Sequence, residues 1–406
     1  MQSRRSLALT ATIHAPATSP SDGLSMPRPT APLGTTSILP RLQVTEGVPR
    51  FEPPSGPRYV PVEALGAGGM GEVALVEDRD IGRKVARKRL LPGAGDDDVL
   101  RFVDEVRVVG KLDHPSIVPI HDVGVDEHGE FFFVMKFVEG ETLEAVIERL
   151  HAGDPATLAV WDITRRLEVF RQLLFALSYA HERGTLHRDL KPANVMIGAH
   201  GEVMLMDWGV ARPIGGAREA HLVKQATTTP GDAKLARTSA GTLVGTPIYM
   251  SPEQAAGETD GLDARSDLYS ACLVLHELVS GGAHLHEDAT SLDALLARIL
   301  TFEAPSAWSL VSTYGIPAEL AHFLHRGLQR SPEARWPSAA AMANELHAIL
   351  DGRPRVQCPM TLTKRVMRGI SRLLDRRPWL GFSAVVLFAL SYLALLGLAV
   401  KTALVG

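Results

Sequence analysis

Cysteine is nearly missing from this chain: Cys272 and Cys358 are the only two in 406 residues. Two cysteines build no disulfide framework, and no CxxC spacing suggests zinc. The chemistry is therefore expected in a reducing compartment. Positive charge is not in excess either, with a formal net charge of −4. A dedicated nucleic-acid binder would carry a basic stripe, so no nucleic-acid partner is expected. No internal repeat is evident. The opening run "MQSRRSLALTATIHA" has a short apolar stretch broken by Thr and His, which argues against a secretory signal. Residues 1–57 are rich in Pro, Ser, Thr and Ala and show no sustained period. Such a stretch buries too little apolar surface to offset its ordering entropy, so we read it as a disordered tail.

A globular pattern runs from 58 to 351. Its first part holds short β-like runs, "YVPVEALG", "GEVALVED", "KVARKRLL" and "FFFVMKFV", interrupted by the helical "DVLRFVDEVRVVGKL". After Gly140 helical periodicity dominates, as in "RRLEVFRQLLFALSYAHERG" and "SDLYSACLVLHELVSG". A β-rich part followed by a helix-rich part predicts a two-lobed α+β architecture.

Charge is wholly absent from Trp379 to Val400, a run of the roughly 20-residue length that spans a bilayer core. A buried core helix is the competing reading, but a lone helix needs partners on all its faces. Lys364, Arg365, Arg368, Arg372, Arg376 and Arg377 precede the run, and Lys401 follows it. The excess of cations before it places the globular part in the cytoplasm. The expected map is a basic juxtamembrane segment (352–378), a single transmembrane helix in the cell membrane (379–400) and a short extracytoplasmic tail (401–406), with membrane lipid as a partner.

Several short motifs carry chemistry. In "LGAGGMGEV", Gly66, Gly68, Gly69 and Gly71 contain a G-x-G-x-x-G spacing. A dinucleotide-binding turn shares that spacing but opens a helix, whereas Glu72 to Val76 reads as a strand. The glycines are therefore expected at a β-hairpin tip, where backbone N–H groups can approach phosphates. An ordinary glycine turn is the alternative. In "KVARK", alternation puts Ala86 and Lys88 on one strand face and Val85 and Arg87 on the other. A small Ala beside a Lys suits a cleft for a flat base and a phosphate, although a strand lysine is usually just solvated. Glu105 flanks the apolar stripe of Phe102, Val106 and Val109. A carboxylate there could hold the lysine, but on its own it reads as a surface charge. Asp207 follows the apolar strand "VMLM", and with Asn194 it offers two oxygen ligands to a hard cation such as Mg²⁺. In "HRDLKPANVM", Asp189 is placed to orient an acceptor hydroxyl and take its proton. Lys191 can stabilise a transferring phosphoryl group, and His187 reads as a packing residue.

These motifs, in this order, resemble the eukaryotic-type (Hanks-type) serine/threonine protein kinases of bacteria. The resemblance rests on G-x-G-x-x-G at 66–71, V-A-x-K at 85–88, H-R-D-L-K-P-x-N at 187–194, D-W-G at 207–209 and G-T-P-x-Y-M-S-P-E at 245–253. It implies the two-lobed protein-kinase fold and transfer of the ATP γ-phosphoryl group to Ser/Thr hydroxyls of proteins, autophosphorylation included. It makes Asp189 the catalytic base with Lys191 beside it, and Asn194 and Asp207 the ligands of Mg²⁺, with Mn²⁺ admitted. Gly66, Gly68, Gly71, Val73 and Ala86 would surround the nucleotide. Lys88 would hold its phosphates and pair with Glu105. Met135 resembles the gatekeeper, with Lys136, Phe137 and Val138 as the adenine-binding hinge. Glu253 would pair with Arg335, and Asp267 would support the catalytic-loop backbone.

The sequence departs from the family pattern at Trp208, Arg87 and Ser251. Trp208 is expected to fill the usual Phe pocket. The segment between Asp207 and Glu253 is long, and Thr238, Ser239 and Thr242 are its favoured phosphorylation sites, with Arg188 to receive the phosphate. Thr246 is assigned to the peptide-binding wall. The His-x-His of "AHLHED" reads as solvated loop. A homodimer is admitted. A catalytically silent, membrane-anchored pseudokinase scaffold is the rival function. Against it, Lys88, Glu105, Asp189, Asn194 and Asp207 are all present.

Overall fold

The computed structural model describes residues 34–36, 41–45, 48–52, 56–67, 71–208, 212–213, 247–258, 262–282, 285–286, 291–353, 355, 358–376 and the separate positions 379, 383, 387, 390 and 391. Two strands come first, β1 (Arg41–Thr45) and β2 (Val48–Glu52), paired antiparallel. They correct part of the expected disordered tail. Register sets Leu42 opposite Phe51 and Val44 opposite Pro49. The Pro/Ser/Thr composition of the whole stretch concealed this local pairing.

The small lobe is a five-stranded antiparallel sheet in the order β3-β4-β5-β7-β6. Its strands are β3 (Tyr59–Ala67), β4 (Gly71–Asp78), β5 (Arg83–Leu90), β6 (Ile120–Val125) and β7 (Phe131–Lys136). Both faces are apolar. Val76, Val85, Phe132 and Val134 pack with Tyr59 on one side. Leu90 and Phe133 pack on the other, against Val99 and Phe102 of helix α1 (Asp96–Val109). Period-two alternation in the central strands β5 and β7 produces these two layers.

The large lobe is helical, with the short strands β8 (Gly140–Thr142), β9 (Thr185–Leu186), β10 (Val195–Gly198), β11 (Val203–Leu205) and β12 (Arg212–Pro213) lying at its junction with the sheet or pairing within it. Its helices are α2 (Leu143–His151), α3 (Pro155–Val160), α4 (Ile163–Glu182), α5 (Pro252–Ala255), α6 (Ala264–Ser280), α7 (Leu292–Thr301), α8 (Ala307–Tyr314), α9 (Ala318–Gly327) and α10 (Ala339–Leu350). Side-chain oxygens of Thr142, Asp154, Asp162, Ser251, Asp263, Ser291, Ser306 and Ser338 cap eight of them by accepting first-turn N–H groups. Every residue of α6 from Ser266 to Val279 is buried, so this helix is the axis of the lobe. Gly281 ends it in the left-handed region, at φ 82°.

Helix α11 (Pro359–Arg376) follows the large lobe. Most of the expected membrane span at 379–400 lies outside the described residues. Among the described residues no helix is long and apolar enough to cross a membrane.

Candidate active site

Strand register assembles one wall of a cleft. Lys88 stands opposite Val73 and Phe133, and Ala86 stands opposite Leu75 and Met135. Phe137 and Val138 leave the end of β7 as irregular chain. Gly66 lies in β3 and Gly71 opens its partner strand β4, which removes the dinucleotide alternative because no helix follows. Gly68 lies outside the described residues. Gly71 cannot carry a side chain: its Cβ would stand 2.5 Å from the Arg89 carbonyl oxygen.

Lys88 is the centre of charge. Its Nζ donates to Glu105 Oε1 at 2.7 Å and Oε2 at 2.8 Å, and to Asp207 Oδ1 at 3.3 Å. Glu105 is buried, not the surface charge that its helix position taken singly suggests. Burial opposes the Lys88 charge, yet Glu105 and then Asp207 outweigh it and hold the ammonium above the usual lysine value. Burial likewise pushes the Glu105 carboxyl up, and Lys88 offsets only part of that rise.

The opposite wall is the segment around 187–194. Lys191 Nζ donates to Asp189 Oδ2 at 2.8 Å. Asn194, buried in a 3₁₀ turn, donates Nδ2 to the Asp189 carbonyl at 2.8 Å. The Asn194 amide oxygen is thus the end turned away from Asp189 and available to another partner. Arg188 and Asp207 both hold left-handed backbone, at φ 67° and 63°. Such conformations cost on the order of 1–3 kcal/mol and persist where surrounding structure enforces them. For Arg188 the enforcement is visible: Asp267 accepts its N–H at 2.8 Å, and Gln254 Nε2 donates to its carbonyl at 2.8 Å.

The protein kinase domain family matches residues 59–346. The chain belongs to that family. A probable serine/threonine-protein kinase of Streptomyces coelicolor is 35% identical over 74% of this chain and 41% of its own length. The serine/threonine-protein kinase PknB of Mycobacterium tuberculosis is 35% identical over 75% of this chain and 45% of its own. PknD of Protochlamydia amoebophila is 29% identical over 76% of this chain and 31% of its own. The chain thus matches less than half the length of these relatives.

Within this kinase domain, Arg335 forms a bidentate pair with Glu253, Nη1 to Oε1 at 2.7 Å and Nη2 to Oε2 at 2.8 Å. Ser251 has a physical reason to replace Ala: it caps α5, and Gln254 Oε1 accepts its N–H at 2.9 Å. Trp208 is fully buried in the main core, its ring centroid 4.7 Å from that of His187. His187 packs as expected. Arg87 lies on the face away from Lys88, its guanidinium 5.8 Å from the Phe132 ring centroid.

One expectation is corrected. His286 is not solvated: it is buried edge-on against Phe302, centroids 4.8 Å apart. Burial, with a smaller contribution from Arg298, pushes its ring down to about 4. Among the described residues no group of three or more His, Cys, Asp or Glu could hold a metal. Thr238, Ser239, Thr242 and Thr246 lie outside the described residues.

Sequence reasoning missed several contributors. Met196 and Met206 pack with Val138, Met204 and Met135, extending an apolar surface from the hinge to Asp207. Met196 was findable: it sits two residues past Asn194 on a strand. His181, which contacts Asp267, and Gln254, which reaches Arg188, gave no signal, because each of these partners is distant in the chain.

Proposed function

We propose that this chain is a serine/threonine protein kinase that transfers the ATP γ-phosphoryl group, with Mg²⁺, to Ser and Thr hydroxyls of proteins, itself included. The observation that carries the reading is Lys88 held between Glu105 and Asp207, across the cleft from the Asp189–Lys191–Asn194 cluster. Bound Mg-ATP supplies the transferable group and a cation that offsets its charge. The donors fit that cation: a half-exposed carboxylate at Asp207 and an amide oxygen at Asn194 are hard ligands, and Mg²⁺ takes few protein ligands beside phosphate oxygens. Mn²⁺ would suit the same oxygens.

Lys88 would hold the phosphates, and Glu105 keeps its ammonium in place. Val73 and Ala86 on one side and Met196 on the other would enclose a flat base, and the 136–138 backbone would offer it hydrogen bonds. Asp189 orients the acceptor hydroxyl and takes its proton, while Lys191 steadies the developing charge. We further propose that residues 379–400 anchor the kinase in the cell membrane with both lobes in the cytoplasm, a reading supported by the uncharged run and the cations that precede it.

Full-length protein given labelled ATP, Mg²⁺ and a generic protein acceptor should yield phosphoserine and phosphothreonine, and Asp189→Asn should yield at most about a hundredth as much in the same time. No transfer by the unaltered chain would leave the scaffold reading instead. A topology reporter fused at Gly406 should read as extracytoplasmic.

A further inference from the structure

Helix α11 (Pro359–Arg376) turns an apolar face to solvent along its length. Met360, Leu362, Val366, Met367, Ile370 and Leu373 are 39% to 63% exposed. Spacings of three and four residues stack them on one side of the helix. The other side is polar, and it is the side that touches the large lobe. There Thr361 is buried, and Lys364 Nζ donates to Glu319 Oε2 of α9 at 2.8 Å. The apolar face is therefore not what holds α11 to the domain. So continuous an exposed apolar surface marks an interaction site.

Two observations say what covers it. From 359 to 377 the sequence carries six Lys or Arg against one acidic residue, Asp375. The uncharged run from Trp379 then follows almost at once. Two copies of α11 packed face to face would bring their cations together with little negative charge to offset them. An anionic lipid surface offsets them directly. A helix with a full-length apolar face, a strongly charged opposite face and low overall hydrophobicity lies in a membrane interface and does not cross it.

We propose that α11 lies flat in the headgroup layer of an anionic bilayer, apolar face inward, and holds the large lobe against the membrane through Lys364 and Glu319. This deepens the membrane reading of 379–400 and rests on it. The helix then sets the height and tilt of the catalytic cleft above the bilayer, so that acceptors close to the membrane are within reach.

The test uses the full-length chain with Cys358→Ser. Cys272 can stay, because it is fully buried and burial pushes its thiol up to about 12. An environment-sensitive fluorophore is attached at Met367→Cys, Arg365→Cys or Leu390→Cys in vesicles of phosphatidylcholine and phosphatidylserine carrying brominated lipid. The expected result is a blue-shifted label at 367 quenched by shallow bromines, a more aqueous label at 365 and a label at 390 quenched by deep bromines. Omitting phosphatidylserine should return the 367 label toward water and leave 390 unchanged. A 367 label that stays aqueous, or ignores phosphatidylserine, while 390 is quenched would overturn the interfacial helix and spare the anchor. Absence of quenching at both positions would sink the anchor and this proposal together. Self-quenching at 367 without lipid quenching would make the face a contact between copies and also overturn it.

Discussion

Nε2 of His181 stands 2.7 Å from Oδ2 of Asp267, at the heart of the large lobe. The same carboxylate accepts the backbone N–H groups of His187 at 2.9 Å and Arg188 at 2.8 Å. Burial works against the Asp267 charge, but the His181 contact first and the other partners after it hold the carboxyl below the usual aspartate range. An ionised Asp267 needs its neighbours as donors, so His181 presents Nε2–H. The left-handed Arg188 backbone, next to Asp189, is thus tied to α6 through one side chain.

Removing His181 should weaken that tie. His181→Ala is expected to cost about 1.5–3 kcal/mol, the range for a hydrogen bond to a charged group. Because the loop supports Asp189 and not the Lys88 wall, kcat should fall while KM for ATP changes little. Chemical denaturation and steady-state kinetics check both parts.

Lys88→Met should nearly abolish phosphoryl transfer and also destabilise the small lobe, since Glu105 stays buried without its cation. Breaking a buried pair from one side costs about 3–5 kcal/mol. Adding Glu105→Gln removes the stranded charge and should recover much of that stability with no return of activity. Asp189→Asn touches no such buried pair, so it should lower kcat by roughly 10²–10⁴-fold with the fold intact. A double-mutant cycle read by denaturation, beside kinase assays, separates the cases.

Arg335→Leu leaves Glu253 buried and unpaired, so a loss of about 3–5 kcal/mol is expected. The Glu253 carboxyl is penalised by burial but held below its usual value by Arg335. A depressed carboxyl stabilises the fold fully above its unfolded pKa, and the contribution is lost as pH falls through the folded one. The native chain should therefore shed this stability only below about pH 4. Arg335→Leu should start lower and show a smaller loss in that window, measured as denaturation midpoints from pH 6 downward.

His286 titrates in the opposite charge sense. Its pKa is depressed to about 4, so the neutral ring stabilises the fold. The contribution is complete above the unfolded value near 6.5 and is lost as pH falls from there toward 4. Between pH 7 and pH 5 the loss should be roughly 2 kcal/mol. His286→Phe keeps an aromatic ring against Phe302 and should flatten that part of the stability–pH curve.

Trp208 gives a graded series. Trp208→Ala should cost about 3–5 kcal/mol by opening the core. The indole N–H has no hydrogen-bond partner among the described residues. Phe in its place removes a buried donor that costs about 1–3 kcal/mol unsatisfied, against some lost volume. Trp208→Phe should therefore change stability by about 1 kcal/mol or less, as read by denaturation.

Much of the site could be read from local chain geometry. Asp189, Lys191 and Asn194 lie within six residues, so one turn suffices to gather them. Strand alternation alone separates Lys88 from Arg87. The order of a β-rich and a helix-rich part was enough to anticipate two lobes. Other features needed the folded chain. Glu105 looks like any helix surface carboxylate until α1 packs on the sheet and brings it to Lys88. His181 and Asp267 are separated by 86 positions, and Glu253 and Arg335 by 82. His286 reads as loop until Phe302 covers it, and the exposed side of α11 is known only once its polar side meets Glu319. The division has one cause. Propensity, capping and periodicity act between residues a few positions apart, so sequence order expresses them directly. A buried pair forms only when chain closure brings distant segments together and removes both groups from water, and neither partner's neighbours encode which segment that will be.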